Sequence, residues 1–308
     1  MHADDALFTA LAKGAQSQVE PDLKRTLVSA WVAGQKSVRV NVLHNAIAGK
    51  HWSAVMAALA ASKVESRMRV ILEPRLANSF LRGGEHGLRP VVRHRRRVTH
   101  AVTPEQLMAR MPHHAATWAR NRAADLVLSS VGGAEDEQQQ IQDIIVSALE
   151  DGLTVDEVTD LIKDIIGLDL RRATALSNYA VQVRDDYAEE SAFTAAVERY
   201  GAELLASRAE TIARTEIMSA INAGQHTLWQ EASADGLLDG LQRIWIVTDD
   251  PSTACDECVD LADNDPVDLD EPFEAGVDYP PLHPNCRCTV GLVGATGGTV
   301  SPDNQEEE

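Results

Sequence analysis

The sequence predicts an α+β fold. Its N-terminal two-thirds is mainly α-helical with long helices, and a small β-containing, zinc-stabilised module follows. Three observations carry this reading. Apolar residues recur at three- and four-residue spacing through most of the chain. Aromatics make up only 4% of a chain that is 44% hydrophobic, so alanine and aliphatic side chains must fill the core, and these lose little side-chain entropy in helices. Near residue 240 the texture changes to alternating, β-branched sequence followed by prolines, aspartates and all four cysteines. At 308 residues the length suits about two domains.

Residues 1–87 read as a helical arm, with "DLKRTLVSAWVAGQKSVRV" and "SAVMAALAASKVESRMRVIL" as its clearest amphipathic stretches and Gly83-Gly84 as its end. Residues 88–102 read as a basic linker, in which Pro90 and an arginine run interrupt the pattern. There Arg93, His94, Arg95, Arg96 and Arg97 offer phosphate contacts, with a solvated charge run as the alternative. Residues 103–239 return to helix. Asp151-Gly152 turns the chain, Thr154 and Glu157 form a capping box, and Gly167 suits the position past a helix end, so a helical hairpin is expected. Two longer helices follow. Residues 240–294 form the module, with strands expected at 241–250 and 288–294. Residues 295–308 read as a disordered acidic tail.

The net charge of −19 is unevenly spread. Residues 249–308 hold sixteen Asp/Glu and one basic residue, whereas residues 71–125 hold ten Arg and four Asp/Glu. Whole-chain affinity for nucleic acid is therefore not expected, though the basic segment offers local contact. No segment approaches the roughly 20 apolar residues that span a bilayer, so no membrane partner is expected. The acidic opening "MHADDALFTALAKGA" lacks the layout of a signal peptide. A reducing compartment is the expectation, where a tight cysteine cluster favours metal over disulfides.

Cys255-x-x-Cys258 places two thiols where one turn brings both to a single ion. "YPPLHPNCRCTV" adds His283, Cys286 and Cys288, giving five candidates for four tetrahedral positions. The 24 residues between Cys258 and His283 allow a hairpin to fold one half onto the other, and Pro280, Pro281 and Pro284 restrict the loop. The module has few large apolar residues and dense negative charge, a deficit that a structural ion offsets. The favoured set is Cys255, Cys258, His283 and one of Cys286 or Cys288. Two alternatives stand beside it: thiols or cross-paired disulfides that pack, and a reactive cysteine with His283 as base. His44, His113, His114 and His226 are expected to be solvated or packed.

"ETIARTEIMSAINAGQHTLWQEA", "RIWIVTDDPSTACDECVDLADNDPVDLDEPF" and "YPPLHPNCRCTV" together resemble the phage Mu F-like minor head protein family, also called the phage head morphogenesis family. Arg214, Thr215, Glu216, Asn222, Trp245, Cys255, Cys258, Glu271, Pro272, Phe273 and the PPLHPNCRC string match its pattern. Val267-Asp268 and Pro251-Ser252 depart from it. The resemblance covers roughly residues 110–292. It implies a non-enzymatic, low-copy minor capsid protein of a tailed bacteriophage. Such a protein assembles in the host cytoplasm, associates with the portal vertex of the procapsid and stays in the capsid interior of the virion. Its implied partners are the portal protein, other head proteins and packaged DNA, which it follows on ejection. Arg214 and Glu216 are expected to anchor the long helix to the module rather than to catalyse. The competing functions are a zinc- or cysteine-dependent hydrolase acting on protein or nucleic acid, and a DNA-binding protein using Arg93–Arg97.

Overall fold

The computed structural model describes residues 3–95, 102–128, 135–247 and 254–294. Among them run ten α-helices and one two-stranded sheet. The helices are α1 (Ala3–Ser37), α2 (Val40–Ala48), α3 (Trp52–Ala60), α4 (Val64–Arg95), α5 (Pro104–Leu128), α6 (Glu135–Glu150), α7 (Val155–Asp164), α8 (Leu170–Val183), α9 (Glu190–Ala234) and α10 (Asp256–Asp263). The strands are β1 (Leu241–Ile246) and β2 (Thr289–Gly294). The chain forms two compact units that interleave along the sequence: Met1–Asp22, Glu73–Arg120 and Thr211–Glu308 make one, and Leu23–Leu72 and Asn121–Glu210 the other. The expected α+β class holds, with long helices and a small sheet near the C-terminus.

In the second unit the expected helical hairpin forms from α6 and α7. Gly152 takes a left-handed φ of +99° at the turn, a conformation that glycine adopts without steric cost. Thr154 Oγ1 accepts from the Glu157 N–H at 3.3 Å, and Glu157 Oε2 accepts from the Thr154 N–H at 2.8 Å, so two orphan donors of the helix start are satisfied reciprocally. Beyond α7, Gly167 is left-handed at φ +90°, and a Cβ there would lie 2.5 Å from the Trp31 ring. Arg208 completes this packing. Its guanidinium lies 5.5 Å over the Trp31 ring and donates to the Gly167 carbonyl at 2.6 Å. Trp31 is fully buried, as are Leu23, Leu27, Leu161 and Ile162 of the same unit.

In the first unit α4 and α9 cross at two glycines. A Cβ on Gly83 would lie 1.9 Å from the Ile221 carbonyl oxygen, and one on Gly224 would lie 1.8 Å from that of Phe80. Gly84 faces Met111 of α5, and Gly87 faces Gln225 and Trp229 of α9. These glycines were expected to end the helix; instead α4 runs through them, because their missing side chains let another backbone approach. The expected linker over 88–102 is likewise helical as far as Arg95. Pro90 removes one ladder hydrogen bond there, and the Trp229 indole N–H binds the Gly87 carbonyl at 2.9 Å beside the gap. Tertiary contact overrides both local breaker signals.

The module closes on a buried charge. β1 and β2 pair antiparallel from Leu241↔Gly294 to Ile246↔Thr289, shorter than the expected 241–250 strand, whose residues 248–250 lie outside the described ones. Arg243 occupies an inward position between Leu241 and Trp245 and has 0% exposure. Its backbone bridges Val267 in both directions, at 2.7 and 2.9 Å. Its guanidinium donates to the carbonyls of Asp268, Glu271 and Asp278, and Nη1 lies 3.2 Å from His226 Nδ1. The charge also stacks 5.2 Å over Phe273, which meets Trp245 edge-on. The loop after α10 thus wraps its backbone around a cation instead of an apolar core.

Gly83→Ala and Gly224→Ala are each expected to destabilise the fold by about 3 kcal/mol, because backbone must move to admit the methyl group. Gly14→Ala, where nothing lies within 4 Å, should be neutral or stabilising. Urea midpoints of the three variants decide this; equal effects would refute the close crossing. A second expectation concerns acid. Burial, and then the Arg243 charge, draw His226 down from 6.5 to about 4. The folded chain therefore binds fewer protons than the unfolded one between these values. The stability that neutral His226 contributes is complete above about pH 6.5 and is lost as pH falls towards 4. The loss should reach about 2 kcal/mol at pH 5 and be missing from His226→Gln. Unfolding curves at pH 7 and pH 5 measure it, and an unchanged slope in the variant would refute it.

Candidate metal centre

Cys255 is the N-cap of α10, and its Sγ accepts from the Cys258 N–H at 3.4 Å. Cys258 lies in the first turn and is buried, as are Cys286 and Cys288 just before β2. All four cysteines are free thiols. The expected fold-back occurs: His283 Nε2 stands 3.1 Å from Cys255 Sγ and 3.6 Å from Cys258 Sγ, and Cys258 Sγ stands 3.8 Å from Cys286 Sγ. The five candidates fall into two triads, Cys255–Cys258–His283 and Cys258–Cys286–Cys288, each with its ligand atoms within 4.8 Å of one another. Cys258 belongs to both.

The imidazole is set for ligation. His283 Nδ1 lies 2.9 Å from the Pro284 carbonyl, which can only accept. The ring proton therefore sits on Nδ1, and the Nε2 lone pair faces the thiols. Tetrahedral zinc, with Zn–S near 2.3 Å and Zn–N near 2.0 Å, requires S···S edges of about 3.8 Å and S···N edges of about 3.6 Å. The Cys258–Cys286 and Cys258–His283 separations meet these values, and the Cys255–His283 separation is shorter. Four sulfurs and one imidazole form a soft donor set that suits zinc and excludes magnesium or calcium. The residues fit a metal ion on chemistry and on spacing.

Electrostatics point the same way. A hydrogen bond from the Cys288 thiol draws Cys286 down to about 5, while burial pushes Cys258 up and the pairing with Cys286 pushes Cys288 up. One thiolate forms readily and penalises the next, a repulsion that a divalent cation removes. Arg214 and Arg287 line the same cavity of about 210 Å³ and would balance surplus thiolate charge.

The closing half is held by one face of α9. Asn285 is left-handed at φ +64°; its N–H donates to Thr215 Oγ1 at 3.0 Å, and its Oδ1 accepts from Arg214 at 3.4 Å. One carbonyl further along, Asn222 Nδ2 donates to Cys288 O at 3.2 Å and its Oδ1 accepts from the Thr289 hydroxyl at 2.8 Å. Gln225 Nε2 donates to Val290 O at 2.6 Å. Arg214 also pairs with Glu20 at 3.1 Å. Glu216 is buried on α9, and Trp245 is buried with its indole N–H unpaired among the described residues.

Arg243, Thr215 and Gln225 organise this region, yet sequence reasoning did not assign them roles. Arg243 carried a signal: the alternation of Leu241, Arg243 and Trp245 puts the arginine on the inward face. Of the basic segment, Arg93 and Arg95 fall in the last turn of α4, and the side chains of Arg93 and Arg95 and all of Arg96 and Arg97 lie outside the described residues. His44 meets Asp156 at 3.1 Å, His114 meets Glu231 at 3.1 Å, and His226 packs on Arg243. None of the three joins the thiols.

Residues 139–291 match the family model described as Phage Mu protein F like protein. No curated protein and no solved structure matches the chain. The matched stretch begins in α6, includes α9 with its holding face, and ends in β2 with all five donor residues inside it. Residues 139–291 thus belong to the Mu F-like phage head morphogenesis family.

Proposed function

We propose that the chain is a low-copy minor capsid protein of a tailed bacteriophage, acting by binding at the portal vertex during procapsid assembly. The observation that carries this reading is the family match over residues 139–291, which takes in the thiol cluster and the helix that holds it. Its partners are the portal protein and other head proteins, and it resides in the capsid interior. The module's exposed aspartates and glutamates repel DNA and favour a protein surface, so contact with packaged DNA during packaging or ejection falls to Arg93–Arg97.

The thiol cluster is a structural zinc site in this reading. Cys255, Cys258, His283 and Cys286 are the ligands, and Cys288 hydrogen-bonds Cys286 from outside. Zinc would supply cross-linking between the start of α10 and the turn before β2. The chain's own residues hold the donors: Pro284 fixes the imidazole, and Thr215 and Asn222 fix the turn. The donors close on one another and leave the site no reaction to perform.

Quantitative mass spectrometry of purified heads of the encoding phage tests the first claim. The chain should be present at a small fraction of the major coat protein; absence from heads, or parity with the coat, would overturn it. Metal analysis tests the second. The purified protein should carry about one zinc per chain, Cys258→Ser less than about a tenth of that, and Cys288→Ser nearly all of it. Chelation should unfold the module, seen as lost dispersion at the β1 and β2 amides. Zinc retained by Cys258→Ser, or a module unchanged by chelation, refutes the site.

A further inference from the structure

A groove of about 410 Å³ opens in the second unit between α1, the end of α7 and α9. Its floor is aliphatic: Val28 and Val32 lie one turn apart on α1, and Gly201 and Leu205 one turn apart on α9. Val40, at the start of α2, lines it and is 43% exposed, unusual for a large apolar side chain among the described residues. The volume falls within the range of pockets that bury a ligand. Gln35 closes one end by donating to the carbonyls of Asp164 and Ile166 at 3.1 and 3.2 Å.

That end is acidic. The Asp164 side chain, only 12% exposed, lies 4.0 Å from Lys163, and Lys163 is drawn to Asp160 at 3.1 Å. Glu198 of α9 lines the groove and acts on Asp164, and Lys36 is a further lining residue. Asp164 thus has one ammonium group beside it, Lys163, which is bonded to Asp160, and two further carboxylates, Asp160 and Glu198. Asp164 is also the last residue of α7, where the helix macrodipole disfavours a carboxylate. Burial raises its carboxyl to about 6, with Glu198 adding to the rise and Lys163 opposing it. An aliphatic trough ending in an under-neutralised, largely buried carboxylate is complementary to an aliphatic segment that carries one cation.

We propose that this groove docks a segment of a protein partner whose aliphatic side chains lie on Val28, Val32 and Leu205 and whose single arginine or lysine reaches Asp164 and Glu198. Arginine suits the site better, because its planar fork can span both carboxylates. The proposal does not depend on the head role: a binding measurement on the purified chain can fail while the chain is still found in heads, and the reverse.

The test uses the full chain and two probes of matched length, n-pentylguanidinium and n-hexanoate, followed by amide shifts in ¹⁵N–¹H spectra. Pentylguanidinium should shift Asp164, Gly201 and Leu205 and saturate at millimolar concentration, while hexanoate leaves them unmoved. Asp164→Asn, which removes a buried charge and so should fold, should weaken pentylguanidinium binding about fivefold. Val32→Ser should weaken it as well. Equal binding of hexanoate, unchanged affinity in Asp164→Asn, or no shift at these amides overturns the proposal. Groove shifts that follow protein concentration without a probe would make a second copy of the chain the occupant, and would also overturn it.

Discussion

The hydrogen bonds that α9 sends to the backbone before and within β2 fix where the thiols stand. Thr215, Asn222 and Gln225 are spaced by seven and three residues, so all three lie on one helix face and reach successive points of Asn285–Val290. The carbonyl of Cys288 and the N–H of Asn285 are thereby taken up from outside the loop. For the buried Cys288 carbonyl this replaces the water that burial removes. The position of α9 depends in turn on the glycine crossing with α4, where two backbones meet with no side chain between them. Sheet, loop and donor residues are referred to that one rigid helix.

The module faces a shortage of apolar surface, and it meets the shortage in two places by different chemistry. At one end Arg243 gathers the carbonyls of Asp268, Glu271 and Asp278. At the other, four thiols and an imidazole converge. Each gathers backbone that has little hydrophobic reason to fold, and at the first the charge is fully buried. The acidic side chains stay outside both, since the contacts are made by carbonyls and sulfurs. This is why a segment rich in aspartate can still adopt one shape.

Much of this was legible in the sequence, for local reasons. Thr154 and Glu157 announce a capping box within four residues, and the cysteine spacing announces a cluster whatever surrounds it. The errors share a cause. Gly83-Gly84 and Pro90 are breakers by local propensity, and α4 continues through them because α9 and Trp229 lie against it, which no window of sequence displays. Arg243 faces inward with Leu241 and Trp245, a placement that only their alternation along β1 discloses. The interleaving of the two units is likewise a matter of long-range contact, invisible to periodicity.

The arginine cage has a kinetic consequence. Its three carbonyls come from residues 25, 28 and 35 positions after Arg243. A guanidinium stripped of water but holding only one of them would carry a large desolvation cost. Partly closed forms are therefore scarce, and the loop between α10 and Tyr279 opens as a single cooperative unit. Its backbone amides should exchange with solvent together, at one common rate, instead of fraying from either end.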